Sequence, residues 1–315
     1  MTPRASLDFA SIRVLDGGLA SELTRRGCDL SGPLWSAHVL DTAPATIAAV
    51  YRDYLRAGAD CIATASYQIS SLGYRELGRP ARDADAALLQ SVALADQVRA
   101  EYAHENPRRV WIAASLGPYG AALHNSAEYH GRYSIGFDDL VAFHAERLAV
   151  LAGSAADLVA FETIPSLEEA RAILLALAAT PALAAWISFT CADAQHVAHG
   201  ERLRDCAEAL GASPQIAAVG INCTAPHLVE ALIGEARGNK PVIVYPNSGE
   251  TWNAATRTWQ GEPETDRFGV LARTWWAAGA QAVGGCCRTG PAHIAAVAQA
   301  ARSTVAATQS AELPS

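Results

Sequence analysis

Long apolar stretches are missing from this chain of 315 residues: no run approaches the roughly 18 apolar residues that a membrane-spanning helix requires. Residues 1–13 hold no apolar core followed by a small-residue cleavage pattern, so nothing there reads as an export signal. Basic clusters are missing as well, and the formal net charge of −8 argues against a nucleic-acid or anionic-membrane partner. The seven cysteines are odd in number and irregular in spacing, unlike a secreted disulfide framework. No Gly-x-Gly-x-x-Gly follows the first apolar run, so the phosphate loop of a nicotinamide-binding Rossmann unit is lacking. No shift in composition marks a domain boundary. These absences point to a cytoplasmic protein with reduced thiols and with no membrane, nucleic-acid or nicotinamide partner.

What is present is a short apolar run followed by an amphipathic stretch, repeated eight times. The runs lie at residues 14–18, 61–67, 110–117, 158–164, 184–191, 217–223, 241–247 and 282–286. They are rich in Val, Ile, Ala and Phe and show no polar alternation, as expected of strands buried on both faces of a parallel sheet. Helix signals lie between them. Pro44 opens one segment that closes at Gly58, and Ser166 with Glu169 has the spacing of a capping box. Eight such units in a chain of this length predict an α/β single-domain (β/α)8 TIM barrel over residues 1–302. A doubly wound open sheet is the alternative. The polar segment 303–315 reads as a disordered tail. Residues 18–44, 117–138 and 248–266 form long connections after strands, where lids and binding loops are found.

In a barrel the chemistry lies where strands end. Those ends read Asp16, Ser66-Tyr67, Ser115, Glu162-Thr163, Thr190, Asn222-Cys223, Asn247-Ser248 and Cys286-Cys287. Three cysteines from the sixth and eighth strands suggest a three-sulfur zinc site with an open fourth position. Adjacent residues on a regular strand face opposite ways, so Gly284 and Gly285 are expected to break the alternation and let both sulfurs face one metal. Cys28, Cys61, Cys191 and Cys206 read as core or loop thiols. His196 and His199, in a loop without an evident carboxylate partner, are not read as ligands, and neither are His124 and His130 beside Glu128 and Tyr129. Trp275-Trp276 reads as helix packing or a subunit contact, which is compatible with a homo-oligomer.

Asp16-Gly17-Gly18, Leu34-Trp35-Ser36, Thr64-Ala65-Ser66-Tyr67, Ser115-Leu116-Gly117-Pro118, Glu162-Thr163, Gly220-Ile221-Asn222-Cys223, Tyr245-Pro246-Asn247-Ser248-Gly249 and Gly284-Gly285-Cys286-Cys287-Arg288-Thr289 together resemble the homocysteine S-methyltransferase family over nearly the whole chain. The likeness is greatest to its short, cobalamin-independent, S-methylmethionine-type members. It implies one catalytic Zn2+ per chain on Cys223, Cys286 and Cys287, with Asp16 and Glu162 holding the amino-acid part of L-homocysteine. Ser21 stands where relatives commonly carry threonine, so a hydroxyl survives.

The chemistry implied is methyl transfer in methionine biosynthesis, from a sulfonium donor (S-methylmethionine or S-adenosylmethionine) to the zinc-activated homocysteine thiolate. No dedicated protein nucleophile is needed. A free thiol, with a pKa near 8.5, is only a few per cent ionised at neutral pH, and binding at the open zinc position removes its proton. Tyr67, Trp35 and Tyr119 are the aromatic candidates for the cationic donor. Ser66, Gly17 and Thr163 join them around the substrates, while Asn222, Asn247, Gly284 and Gly285 support the metal site. A cobalamin-dependent methionine synthase would need further modules. A betaine-type enzyme would carry a longer C-terminal extension, and a zinc or redox thiol protein without turnover leaves Asp16 and Glu162 unexplained.

Overall fold

The computed structural model describes residues 9–253 apart from 31, 33 and 35, together with 258–260 and 265–311. The strands are β1 (Cys61–Ala63), β2 (Trp111–Leu116), β3 (Leu158–Ile164), β4 (Ala185–Phe189), β5 (Ile216–Asn222), β6 (Val242–Tyr245), the short pair β7 (Thr251–Asn253) and β8 (Thr258–Gln260), and β9 (Ala280–Val283). Seven of them form one all-parallel sheet in the order β1-β2-β3-β4-β5-β6-β9, while β7 and β8 make a separate antiparallel hairpin.

The strand expected at residues 14–18 is cut to two bridges. Val14 pairs with Val283 and Leu15 with Cys61, both in parallel. The Leu15 N–H donates to the Val283 carbonyl at 2.9 Å, and the Asp60 N–H donates to the Val14 carbonyl at 2.7 Å. These two residues occupy the eighth position and close the sheet into a barrel. Gly17 and Gly18 then turn the chain into the helix Leu19–Arg25, which leaves no room for a longer strand. Consecutive strand order with closure excludes the doubly wound alternative, whose order reverses at a switch point.

The missing polar alternation has a direct cause. Leu15, Cys61, Trp111, Ala113, Leu158, Ala160, Trp186, Ala218, Ile243, Tyr245 and Ala282 form one buried cluster inside the barrel. Their neighbours Val14, Ile62, Ile112, Val159, Phe161, Ile187, Val219, Val244 and Val283 pack outward under the helices. Both faces are apolar, so period two is erased. Phe9, in a 3-10 turn at Phe9–Ser11, plugs the N-terminal end with its ring 6.3 Å from that of Trp186.

Helix boundaries follow the local signals. Pro44–Ala57 begins on its proline and stops at Gly58, which takes a left-handed φ of 110°. Leu167–Ala178 is capped by Ser166, whose hydroxyl accepts the Glu169 N–H at 3.2 Å. Trp275 and Trp276, on the helix Thr265–Ala278, are buried within the chain. The last helix, Pro291–Ala311, stays helical through residues 303–311 of the segment read as a tail, where Ala306, Ala307 and Ala311 are strong helix formers; residues 312–315 lie outside the described residues. None of the described helices is long and apolar enough to cross a membrane. His196 and His199 do have carboxylate partners, Asp193 at 3.0 Å and Glu201 at 3.2 Å, brought close by the loop itself.

Candidate active site

Residues of inward parity become polar as each strand reaches its C-terminal end: Ser115 on β2, Glu162 on β3, Ser188 on β4, Asn222 on β5 and Tyr245 on β6. The three cysteines lie just beyond. Their sulfurs all fall within 4.8 Å of one another, and Cys223 and Cys287 are 3.6 Å apart. Thiolates about 2.3 Å from a tetrahedral zinc lie roughly 3.8 Å from each other, so three soft donors at this spacing fit that ion. All three residues are only partly buried, which leaves the cluster one open side. Hydrogen bonds among the sulfurs act in both directions, lowering one thiol as they raise another, and with burial and mutual charge repulsion added all three stand well above the ordinary range. Only a cation lets the set ionise together.

The pair Cys286-Cys287 reaches one point by a different device from the one its glycines suggest. β9 ends at Val283, so both cysteines stand in a turn where strand alternation no longer applies. The left-handed residues are Arg288 (φ 66°) and Cys223 (φ 50°), not the glycines. Gly284 and Gly285 are required for close approach. A Cβ on Gly284 would lie 2.6 Å from that of Leu15, and one on Gly285 would lie 2.3 Å from the Thr289 hydroxyl. The turn is strapped on both sides. The Gly285 N–H donates to Asp16 O at 2.9 Å, Cys286 N–H to Pro246 O at 2.7 Å, and Ser248 N–H to Cys287 O at 3.0 Å. The Ser21 hydroxyl accepts the Arg288 N–H at 2.8 Å, and Arg288 pairs with Glu250 at 3.0 Å, which explains why a hydroxyl is needed at position 21.

Two carboxyl groups stand at the ends of the barrel strands, Glu162 acting on Cys286 and Asp16 lying on the segment that meets Gly285. Asp16 accepts the Ala63 N–H at 2.7 Å instead of capping the next helix, whose first turn begins at Gly18 without a side-chain cap. Burial raises its pKa well above the ordinary carboxylate range, and the Glu162 charge adds to the effect. Glu162 accepts a hydrogen bond from the Ser115 hydroxyl. Burial pushes it up to about 7, with Ser115 and Tyr245 opposing the shift. The Glu162 charge also acts on Cys286. Gly17 lies against Tyr54, where an added Cβ would sit 2.8 Å from the ring.

Asn222 ties the sulfurs to β3. Its Oδ1 accepts the Thr163 N–H at 2.8 Å, and its Nδ2 donates to the Thr163 hydroxyl at 2.9 Å and reaches Cys286 Sγ at 3.9 Å. Thr163 itself is left-handed (φ 62°), where β3 and β4 slip register. Strained backbone of this kind persists where surrounding contacts over-determine it, and it concentrates at functional sites. Asn247 is placed by its N–H, which donates to Thr224 O at 3.1 Å, while its Oδ1 is buried without a partner.

The aromatic candidates separate. Tyr67 is in the neighbourhood of the sulfurs: burial first, then the Glu128 charge, hold its phenol well above the ordinary range, and Cys223 and Cys286 act on it too. Tyr119 packs edge-to-face on Tyr133 (5.3 Å) and Phe143 (5.2 Å) and donates its N–H to Glu169 at 2.6 Å, so its contacts run to the base of the loop. The Ser66 hydroxyl is fully buried and taken up by Ser115 O at 2.7 Å and Thr64 at 2.6 Å. Trp35 lies outside the described residues. Sequence reasoning missed Tyr129, whose hydroxyl is 3.7 Å from Cys223 Sγ. The signal was its place in the long connection 117–138, but no local pattern distinguishes it there from other loop tyrosines.

A cluster of three thiols with an open side, flanked by two carboxyls whose ionisation is suppressed, can bind a thiophilic metal, a sulfur nucleophile and an ammonium group together. Comparison with known proteins agrees with that chemistry. The profile of the family described as homocysteine S-methyltransferase matches residues 13–301. The homocysteine S-methyltransferase YbgG of Bacillus subtilis (strain 168) is 45% identical over 305 residues, covering 94% of this chain and 96% of its own. The homocysteine S-methyltransferase of Escherichia coli (strain K12) is 42% identical over 299 residues, covering 93% and 96%. The metallated crystal form of the homocysteine methyltransferase MmuM from Escherichia coli superposes with a TM-score of 0.81 at 40% identity, covering 91% of this chain and 96% of that one.

Proposed function

This chain belongs to the homocysteine S-methyltransferase family, and from that we propose that it moves a methyl group from S-methylmethionine to the thiolate of L-homocysteine, forming two molecules of methionine. The homocysteine thiol releases its proton to solvent, and a sulfur lone pair forms the new S–C bond. The donor's S–CH3 bond breaks with its electrons left on the donor sulfur, so the sulfonium charge disappears. The observation that carries this reading is the meeting of Cys223, Cys286 and Cys287 with Asp16 and Glu162 at one barrel mouth. Zinc, held by the three cysteine sulfurs, would supply the Lewis acidity that lets the substrate thiol ionise at neutral pH.

The chain's own residues bind and orient. Glu162 and Asp16 receive the homocysteine ammonium, and that cation restores the ionised form which burial opposes in each. Gly17 keeps the backbone of the first barrel position close enough for this contact. Asn222 fixes Cys286 relative to Thr163, so the sulfur cluster and the ammonium site share one rigid frame. Tyr67 closes the apolar wall. In-line attack converts a cation and an anion into neutral products, so a site poor in water favours the transition state over the separated ions. The protein mainly positions its substrates and needs no covalent intermediate.

The test is methionine formation from homocysteine with S-methylmethionine, S-adenosylmethionine and betaine supplied in turn. Turnover highest with S-methylmethionine supports the reading. Turnover with betaine alone reassigns the donor, and zinc binding without product from any donor refutes methyl transfer.

A further inference from the structure

One buried carboxylate, next in sequence to the tyrosine that meets Cys223, has no role in the chemistry above. Glu128 sits in the 3-10 turn Ala127–Tyr129, is 7% exposed, and its Oε2 is buried without a hydrogen-bond partner. Its neighbour Tyr129 places a hydroxyl 3.7 Å from Cys223 Sγ. The turn is held firmly. It packs on β3 and on the short helix Tyr119–Ala122, where a Cβ on Gly120 would lie 2.4 Å from the Glu128 nitrogen. His124 and Ser126 take left-handed φ values of 53° and 66° on the way into it. Its carboxyl is met by its own backbone N–H alone, and a buried carboxylate with one oxygen left unpartnered is costly to a protein unless a cation meets it in use.

We propose that Glu128 is the binding group for the α-ammonium of the methyl donor, with Tyr67 and Tyr129 walling the same pocket. This rests on the sulfonium-to-homocysteine reading above and deepens it. The molecule has two acidic sides. Glu162 acts on Asp16 and on Cys286, whereas Tyr129 touches Cys223, with Cys287 the next sulfur in its field. Two amino-acid substrates must flank one open metal position, and each brings an ammonium. Glu128 acts on Tyr67, Tyr129 and Tyr133, which places its charge among the aromatic groups of the second side. Burial raises its pKa, as expected of a carboxyl that awaits a cation.

The ammonium is the better partner than the sulfonium for a reason of mechanism. The sulfonium charge vanishes as the methyl group moves, so a carboxylate on it would stabilise the ground state more than the transition state. The ammonium stays charged throughout. Holding it contributes equally to both and fixes the donor's angle of approach.

The experiment uses the full-length, zinc-supplied chain and its Glu128→Gln variant, which keeps shape and removes charge. The KM for S-methylmethionine should rise about 10- to 100-fold, the range of a lost charge-assisted hydrogen bond. The KM for homocysteine should stay within about twofold, and a sulfonium carboxylic acid lacking the amino group should react equally with both proteins. Equilibrium dialysis of S-methylmethionine against the unmodified chain gives an independent reading. It should bind at least about tenfold tighter than the analogue without the amino group. The variant's melting temperature should be unchanged or higher, because an orphaned buried charge is gone. An unchanged donor KM, an equal rise in the homocysteine KM, or no preference in dialysis overturns the assignment. Absence of methionine from any donor with the unmodified chain would instead strike the methyl-transfer reading, and the dialysis preference would still decide Glu128.

Discussion

Replacing Glu162 by Gln isolates the charge proposed to receive homocysteine. The amide oxygen can still accept the Ser115 hydroxyl, so the end of β3 keeps its hydrogen bond and the barrel its frame. What is lost is the ionised partner of a partly buried ammonium, a contact of about 1.5–3 kcal/mol. The KM for homocysteine is therefore expected to rise roughly 10- to 150-fold. The pH profile gives a second signature. Burial lifts Glu162 from 4.5 to about 7, so the carboxyl is largely neutral below that value in the free protein. The ammonium binds the anion, so kcat/KM for homocysteine should fall about tenfold per pH unit as pH drops below 7 and level off above it. The substrate thiol adds its own pH dependence to both proteins. The ratio of wild-type to variant kcat/KM removes that common part and should show a single inflection near 7. A ratio that is flat between pH 5.5 and 8.5, with an unchanged KM, would refute the placement of the ammonium.

Other substitutions probe the frame. Asn222→Ala leaves the Thr163 N–H and hydroxyl without their partner in a left-handed segment; thermal or denaturant unfolding should show a loss of about 1–3 kcal/mol, and zinc affinity should weaken with it. Gly285→Ala drives a methyl group into Thr289, 2.3 Å from its hydroxyl. A destabilisation of about 1–3 kcal/mol is expected, with loss of metal because the turn that carries Cys286 and Cys287 must shift. Gly153→Ala, where an added Cβ meets nothing within 4 Å, is the control and should leave metal binding intact.

The fold was legible because the barrel is a repeated solution to one problem. Each strand buries both faces, so Ile112, Val159 and Ile187 look outward and Trp111, Leu158 and Trp186 inward with no polar residue to mark the change. The eight runs were found by that uniformity. The first run is shorter in the structure than its apolar pattern because the glycines after Asp16 belong to the turn against Cys286, a contact between distant parts of the chain that no local window contains. The inward parity also makes the site partly readable: Ser115, Glu162 and Asn222 are polar where an interior residue would be apolar, and the cysteines follow just beyond the strand ends. Ser66 stands in the turn beyond β1 and spends its hydroxyl on Ser115 O and Thr64. Glu128 and Tyr129 could not be found this way. Both stand in a loop, from which Tyr129 reaches Cys223, whose path is set by Gly120 and two left-handed residues, and such a path is fixed by tertiary contacts, not by spacing.

In the proposed reaction, turnover depends on a metal site made by Cys223, just beyond β5, and by Cys286 and Cys287 in the turn after β9. Zinc content by elemental analysis, read beside methionine formation, tests it on the native chain and on Cys223→Ala, Cys286→Ala and Cys287→Ala. A single zinc per native chain is expected, with activity lost on chelation and regained on zinc return, and each single variant should lose metal and turnover together. A Cys287→Ala protein that keeps its zinc and still makes methionine at the native rate would contradict the account.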